Sequence, residues 1–136
     1  LIDSKLKNLK WITPSFPLNP RKEIDLIKQT IEVLKQDERN KMLITEYQFF
    51  SIILEENLNI PNRWYTHDNN SYPLKNHKYY KFYKEHFTNL IKKNNVEVIY
   101  ITGDSKIKNF QIYLDNICFT EEEINELSKM HELKKC

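Results

Sequence analysis

The sequence predicts an α/β fold: a small, about three-stranded parallel sheet flanked by helices, in a Rossmann-like or flavodoxin-like three-layer sandwich. Three observations carry this reading. Short apolar runs at 42–44, 96–101 and 117–119 are too apolar for half-exposed strands and suit strands buried on both faces. Stretches of helical periodicity separate them. Capping signals at Asn19-Pro20, Thr45 and Thr120 mark where helices should start.

With 136 residues the chain makes one domain that buries about two thirds of the surface exposed when unfolded. Residues 1–18 are expected to form an extended lead-in strap, and residues 19–136 a single α/β domain. Pro14 and Pro17 keep the strap from being helical, and Trp11 should anchor it to the core.

Asn19 as cap and Pro20 at the first helical position open a helix running to about Gln36, whose stripe Ile24, Ile27, Ile31 and Leu34 should face the sheet. A central strand over Met42 to Ile44 follows. Thr45, with Gln48 three positions on, resembles a capping box and predicts a helix from about Glu46 to Glu56.

The connection from Leu58 to Asn76 is long, proline-punctuated and aromatic, which suggests an ordered loop over the carboxyl edge of the sheet. A helix from about His77 to Lys93 then places Tyr79, Phe82, Tyr83, His86, Phe87 and Leu90 inward and lysines outward. Asn94-Asn95 ends it and Val96 to Ile101 forms the second strand. Residues 106–115 fit a short helix or an edge strand, and the helix, with Phe110, Leu114 and Ile117 on one side, is the favoured reading. Ile117 to Phe119 reads as the third strand, and Thr120 with Glu123 as a capping box for a helix to about His131.

Composition excludes several functions. Lys+Arg 21 against Asp+Glu 19 leaves a net charge of +2, far from the balance of a dedicated nucleic-acid binder. The single glycine, Gly103, rules out phosphate-cradling GxGxxG and P-loops, which need several. Four histidines and two cysteines fall in no zinc spacing, so neither metal nor cofactor is expected. No GxSxG elbow or cysteine–base pair predicts a nucleophile. Glu46 is open to two readings, an acid or base at the strand's end or a first-turn residue favoured by the helix dipole.

Ligands of open α/β sheets bind outside the carboxyl ends of the strands. That rule gathers Thr45, Glu46, Gln48, Asn62, Arg63, Trp64, Tyr65 and Asp68 into one candidate concave surface. Arg63 would pair with a phosphate or carboxylate ligand, and Trp64 or Tyr65 would stack on a sugar face. Equally, Arg63 would pair with Glu46 or Asp68 to pin the loop. His67 and Asp68 form a loop pair that reads as a surface dyad.

The segments LKWITP (9–14), ITEYQFF (44–50), PNRWY (61–65), KYYKFYKEHF (78–87), VEVIYITG (96–103) and the terminal KKC together resemble one family. It comprises the soluble carboxy-terminal domains of uncharacterised multi-pass bacterial membrane proteins whose membrane part is similar to GT-C-type glycosyltransferases using lipid-linked sugars. The resemblance implies a non-catalytic accessory domain on the extracytoplasmic, periplasmic face of the inner membrane. The transmembrane part of the same polypeptide would be its partner, and a glycan or lipid-linked sugar its ligand. The chain opens without an initiator Met, which fits an excised segment. An extracytoplasmic setting further implies a disulfide between Cys118 and Cys136. The competing expectation is a free-standing cytosolic Rossmann-like module that binds a small ligand.

Overall fold

The computed structural model describes residues 2–8, 19–62, 72–103 and 110–136. The strap residues 9–18, including Trp11, and the loop residues 63–71 lie outside them, as do 104–109.

The chain is α/β, with a four-stranded mixed sheet and three α-helices among the described residues. α1 (Pro20–Gln36) leads into β1 (Lys41–Thr45), which is followed by α2 (Phe50–Leu54), α3 (Tyr80–Lys93) and β2 (Val98–Thr102). A hairpin of β3 (Cys118–Glu123) and β4 (Ser128–Lys134) ends the chain. The strand order is β1-β2-β4-β3. β1 and β2 are parallel, Met42 facing Ile99 and Ile44 facing Ile101, whereas β4 is antiparallel to both β2 and β3.

The three-stranded parallel sheet is therefore corrected to a mixed sheet of four, and the helix expected from Thr120 to His131 to a hairpin. Its glutamates, Leu127, Lys129 and Met130 favour helix, but propensity is a weak force and yields when a partner strand is available. β2 would otherwise expose an unpaired edge; β4 fills it, setting Ile99 against His131 and Tyr100 against Met130. Asn125 makes the reversal, its Oδ1 accepting from the amides of Leu127 (2.9 Å) and Ser128 (3.0 Å) in an Asx turn. Three exposed glutamates, Glu121 to Glu123, occupy the outer strand and discourage further pairing there.

β1 proves to be an edge strand rather than a central one, yet all five of its residues are buried. The segment after α2 closes its open side. Leu43 N donates to Leu58 O at 2.9 Å, and Asn59 Nδ2 donates to Lys41 O at 2.9 Å.

Alternation along the two parallel strands divides the core between the faces of the sheet. Leu43, Val98 and Tyr100 join Ile27, Ile31 and Leu34 of α1, Phe50 and Ile53 of α2, and Leu6 from the short 3-10 helix Ser4–Leu6. Met42, Ile44, Ile99 and Ile101 join Phe87 and Ile91 of α3 with Phe110, Tyr113 and Leu114. The sheet is thus sandwiched between helices, and residues 110–113, where a helix or strand was expected, form a single 3-10 turn.

Asn19 caps α1 as expected, its side chain accepting from Lys22 N, and Pro20 is the first helical residue. The buried stripe is rotated from the apolar reading: Glu23, Leu26, Ile27, Thr30, Ile31 and Leu34 are buried, so it includes two polar residues in place of Ile24. α3 is rotated as well. Phe82 is 76% exposed, Tyr79 is 55% exposed and His86 faces solvent.

Candidate functional site

Both long helices run back against the strand that follows them. About 25 Å of α1 and 21 Å of α3 lie alongside strands of roughly 17 Å. The first turn of α1 lies at the carboxyl end of β1, where Glu23 meets Tyr47.

At that edge, Thr45 starts no helix. Its Oγ1 accepts from Tyr47 N at 3.0 Å, a side-chain turn that competes with capping, and α2 begins only at Phe50. Gln48 does not reach back to Thr45 as a capping box would; its exposed amide donates to Glu46 O at 3.4 Å. Tyr47 swings inward and donates its hydroxyl to Glu23 Oε1. Glu23, in the first turn of α1, is completely buried, and its Oε2 has no hydrogen-bond partner among the described residues. The positive end of the α1 dipole favours this carboxylate.

Glu46 lies across Gly103, whose φ of +131° is a left-handed conformation that suits glycine. A Cβ on Gly103 would come within 3.0 Å of Glu46 Oε1. Behind this edge, three hydroxyls link α1 to β4 and β2. Ser128 Oγ lies 2.6 Å from Thr30 Oγ1 and 3.0 Å from Thr102 Oγ1, and Thr30 also donates to Leu26 O.

Asn62 is placed by α3, its Oδ1 accepting from Tyr83 at 2.8 Å. Burial first, and the neighbouring Tyr72 and Tyr113, push the Tyr83 phenol far above its ordinary range, so it acts as a fixed donor. The structure thus brings Thr45 and Glu46 together with Tyr47 and Gly103, and it leaves Gln48 facing solvent. Arg63, Trp64, Tyr65 and Asp68 fall outside the described residues, and His67 with them.

No known protein family matches the sequence, and no characterised protein or solved structure is detectably similar to it.

Among the described residues, no group of three or more His, Cys, Asp or Glu side chains is placed to hold a metal ion. The buried hydroxyls of Thr30 and Thr102 each bond that of Ser128. No helix among the described residues is long and apolar enough to cross a membrane.

The opposite edge of the sheet holds a polar cluster that the sequence reading missed. Asp37 receives Arg39 through Nε and Nη2, both at 2.9 Å, and the hydroxyl of Tyr100. Burial alone would raise the Asp37 pKa, but these hydrogen bonds outweigh it and bring it down to about 2. Lys41 is buried at the start of β1, where its ammonium meets Asp37 O and, at 2.8 Å, Glu56. The available signal was one of position. Glu23 and Thr30 lie four before and three after Ile27 on α1, and so share its buried face.

Proposed function

We propose that this chain is a non-catalytic extracytoplasmic accessory domain of a multi-pass bacterial membrane protein similar to GT-C-type glycosyltransferases. In this reading the domain stands on the periplasmic face of the inner membrane, partnered by the transmembrane part of the same polypeptide. Its carboxyl edge positions a glycan or the sugar of a lipid-linked substrate. The observation that carries the reading is the bridge between Cys118 and Cys136, because disulfides persist in oxidising compartments and are rare in the cytosol.

The parallel β1–β2 pair with helices on both faces is the part of the architecture that suits a Rossmann-like sandwich, whose ligands lie beyond the strand ends. There the Glu46 carboxylate offers oxygens of the kind that hold sugar hydroxyls, with the Thr45 hydroxyl, which accepts from Tyr47 N, beside it. Arg63, Trp64 and Tyr65, which lie outside the described residues, would add an ionic contact and stacking.

The test uses the full reading frame in spheroplasts, treated with a membrane-impermeant reductant and then an impermeant maleimide. Labelling of Cys118 and Cys136 only after reduction, without lysis, is the expected result. Labelling that requires lysis would move the domain to the cytosol and favour a free-standing module that binds a small ligand.

A further inference from the structure

At the edge of the sheet away from the proposed sugar site, a cleft of about 710 Å³ opens between the end of α3, the segment leading into β2 and the end of β4. Its floor is apolar, made by Ile91, Val96, Ile117 and Leu133. Ile91 and Val96 belong to the core, and Ile117 and Leu133 are half-buried and pack against it.

The rim is charged unevenly. Both of its carboxylates are engaged: Glu97 Oε2 accepts from Asn40 N at 2.9 Å, and Glu132 lies 3.9 Å from Arg39. Arg39 is itself held by Asp37. Lys92, Lys134 and Lys135 line the same cleft, and none has an acidic partner among the described residues. Two constraints hold these groups in place. Leu133 N donates to Glu97 O at 2.9 Å, and the bridge from Cys136 to Cys118 ties down the segment carrying Lys134 and Lys135 beside Ile117.

We infer that this cleft binds a single-chain amphiphile with a phosphate head, its alkyl tail on the Ile91–Val96–Ile117–Leu133 floor and its head among the three lysines. Pockets of this size with apolar walls and a few converging charges suit small ligands. An apolar floor alone selects for a tail and says nothing of charge. Three ammonium groups that pair with no carboxylate among the described residues select for an anion, and a phosphate monoester accepts from several lysines at once. The inference does not rest on the sugar site at the other edge or on the cellular placement of the domain.

The experiment is calorimetric titration of the oxidised, purified chain with a monoacyl phosphatidic acid below its micelle concentration. Inorganic phosphate and the phosphocholine ester of the same tail serve as controls. The phosphatidic acid should bind at least tenfold more tightly than the choline ester, and inorganic phosphate should give no detectable heat. Lys92→Gln/Lys134→Gln/Lys135→Gln changes only exposed side chains; it should lose at least tenfold in affinity for the acid and keep its affinity for the choline ester. Ile117→Ser should weaken both lipids in protein whose circular dichroism matches the parent. Equal affinity for the two lipids, binding of phosphate as tight as that of the lipid, wild-type affinity in the triple variant, or no binding below the micelle concentration would each overturn the assignment.

Discussion

Tyr47 donates its phenolic hydroxyl to Glu23, a carboxylate buried completely by the first turn of α1, and so ties the carboxyl end of β1 to the start of the helix before it. Tyr47→Phe removes the donor and leaves both carboxylate oxygens without a partner. An orphaned buried acceptor costs about 1–3 kcal/mol, and more when charged, so a loss of about 2 kcal/mol is expected. Glu23→Leu/Tyr47→Phe removes both partners and should recover much of that loss. Urea midpoints measure both variants; a double variant no more stable than Tyr47→Phe would show that the contact is not what stabilises the edge.

Gly103 is the second support of the edge. Gly103→Ala places a side chain at a φ of +131° and a Cβ within 3.0 Å of Glu46 Oε1. The backbone strain is expected to cost about 1–3 kcal/mol. Since Oε1 is the far end of a flexible side chain, Glu46→Ala/Gly103→Ala should relieve only the contact and keep most of the loss. Full recovery in the double variant would mean that the clash with Glu46, rather than the backbone, is the reason for glycine here.

Local signals were legible where one short segment decides the outcome. Asn19-Pro20 starts α1, Asn94-Asn95 follows the last residues of α3, and the apolar runs locate β1 and β2. What could not be read depends on distant partners. Thr120 and Glu123 have capping-box spacing, yet they lie in β3 because β4 pairs with it and with β2. Thr45 and Gln48 show the same spacing, and there a side-chain turn to Tyr47 N prevails over the cap. In the candidate site, Thr45 and Glu46 were found by the rule for strand ends. Glu23 and the Thr30–Ser128–Thr102 hydroxyls were missed, because each polar group is buried only by virtue of a partner 24 or more residues away.

The hairpin also changes what the disulfide does. A bridge at the end of a helix would have needed the chain to fold straight back. Instead, antiparallel pairing sets Cys118 opposite Lys134, and Cys136 follows two residues later with its Cα 5.2 Å from that of Cys118. For a sequence separation of 18, the chain-entropy account gives about 3 kcal/mol. Cys118→Ser/Cys136→Ser should lose that amount in denaturant unfolding, and adding a reductant to the parent protein should reproduce it. A loss below about 0.5 kcal/mol in both would show that β3–β4 pairing holds the hairpin without covalent help.

His131 makes the fold sensitive to pH. On β4 it is 1% exposed, with its ring 5.1 Å from that of Phe110 and 5.2 Å from that of Phe119. Its Nδ1 has no hydrogen-bond partner among the described residues, while Nε2 lies 3.4 Å from Glu121 Oε2. Burial lowers its pKa below the ordinary histidine value, and the Glu121 carboxylate offsets this only in part. Glu121 is itself held low, first by the hydrogen bond from Lys129, so it stays ionised while the histidine titrates. With the folded pKa below the unfolded one, the unfolded chain binds the proton more readily. The stabilisation is therefore complete above the unfolded value of about 6.5 and is lost as pH falls through the folded value. Stability should decline between pH 7 and pH 5 with a contribution from this site of no more than about 1.4 kcal/mol per pH unit. His131→Phe keeps an aromatic ring between Phe110 and Phe119 and should flatten that slope. Denaturant midpoints at pH 5, 6 and 7 compare the two proteins; an unchanged slope in His131→Phe would assign the pH dependence to another group.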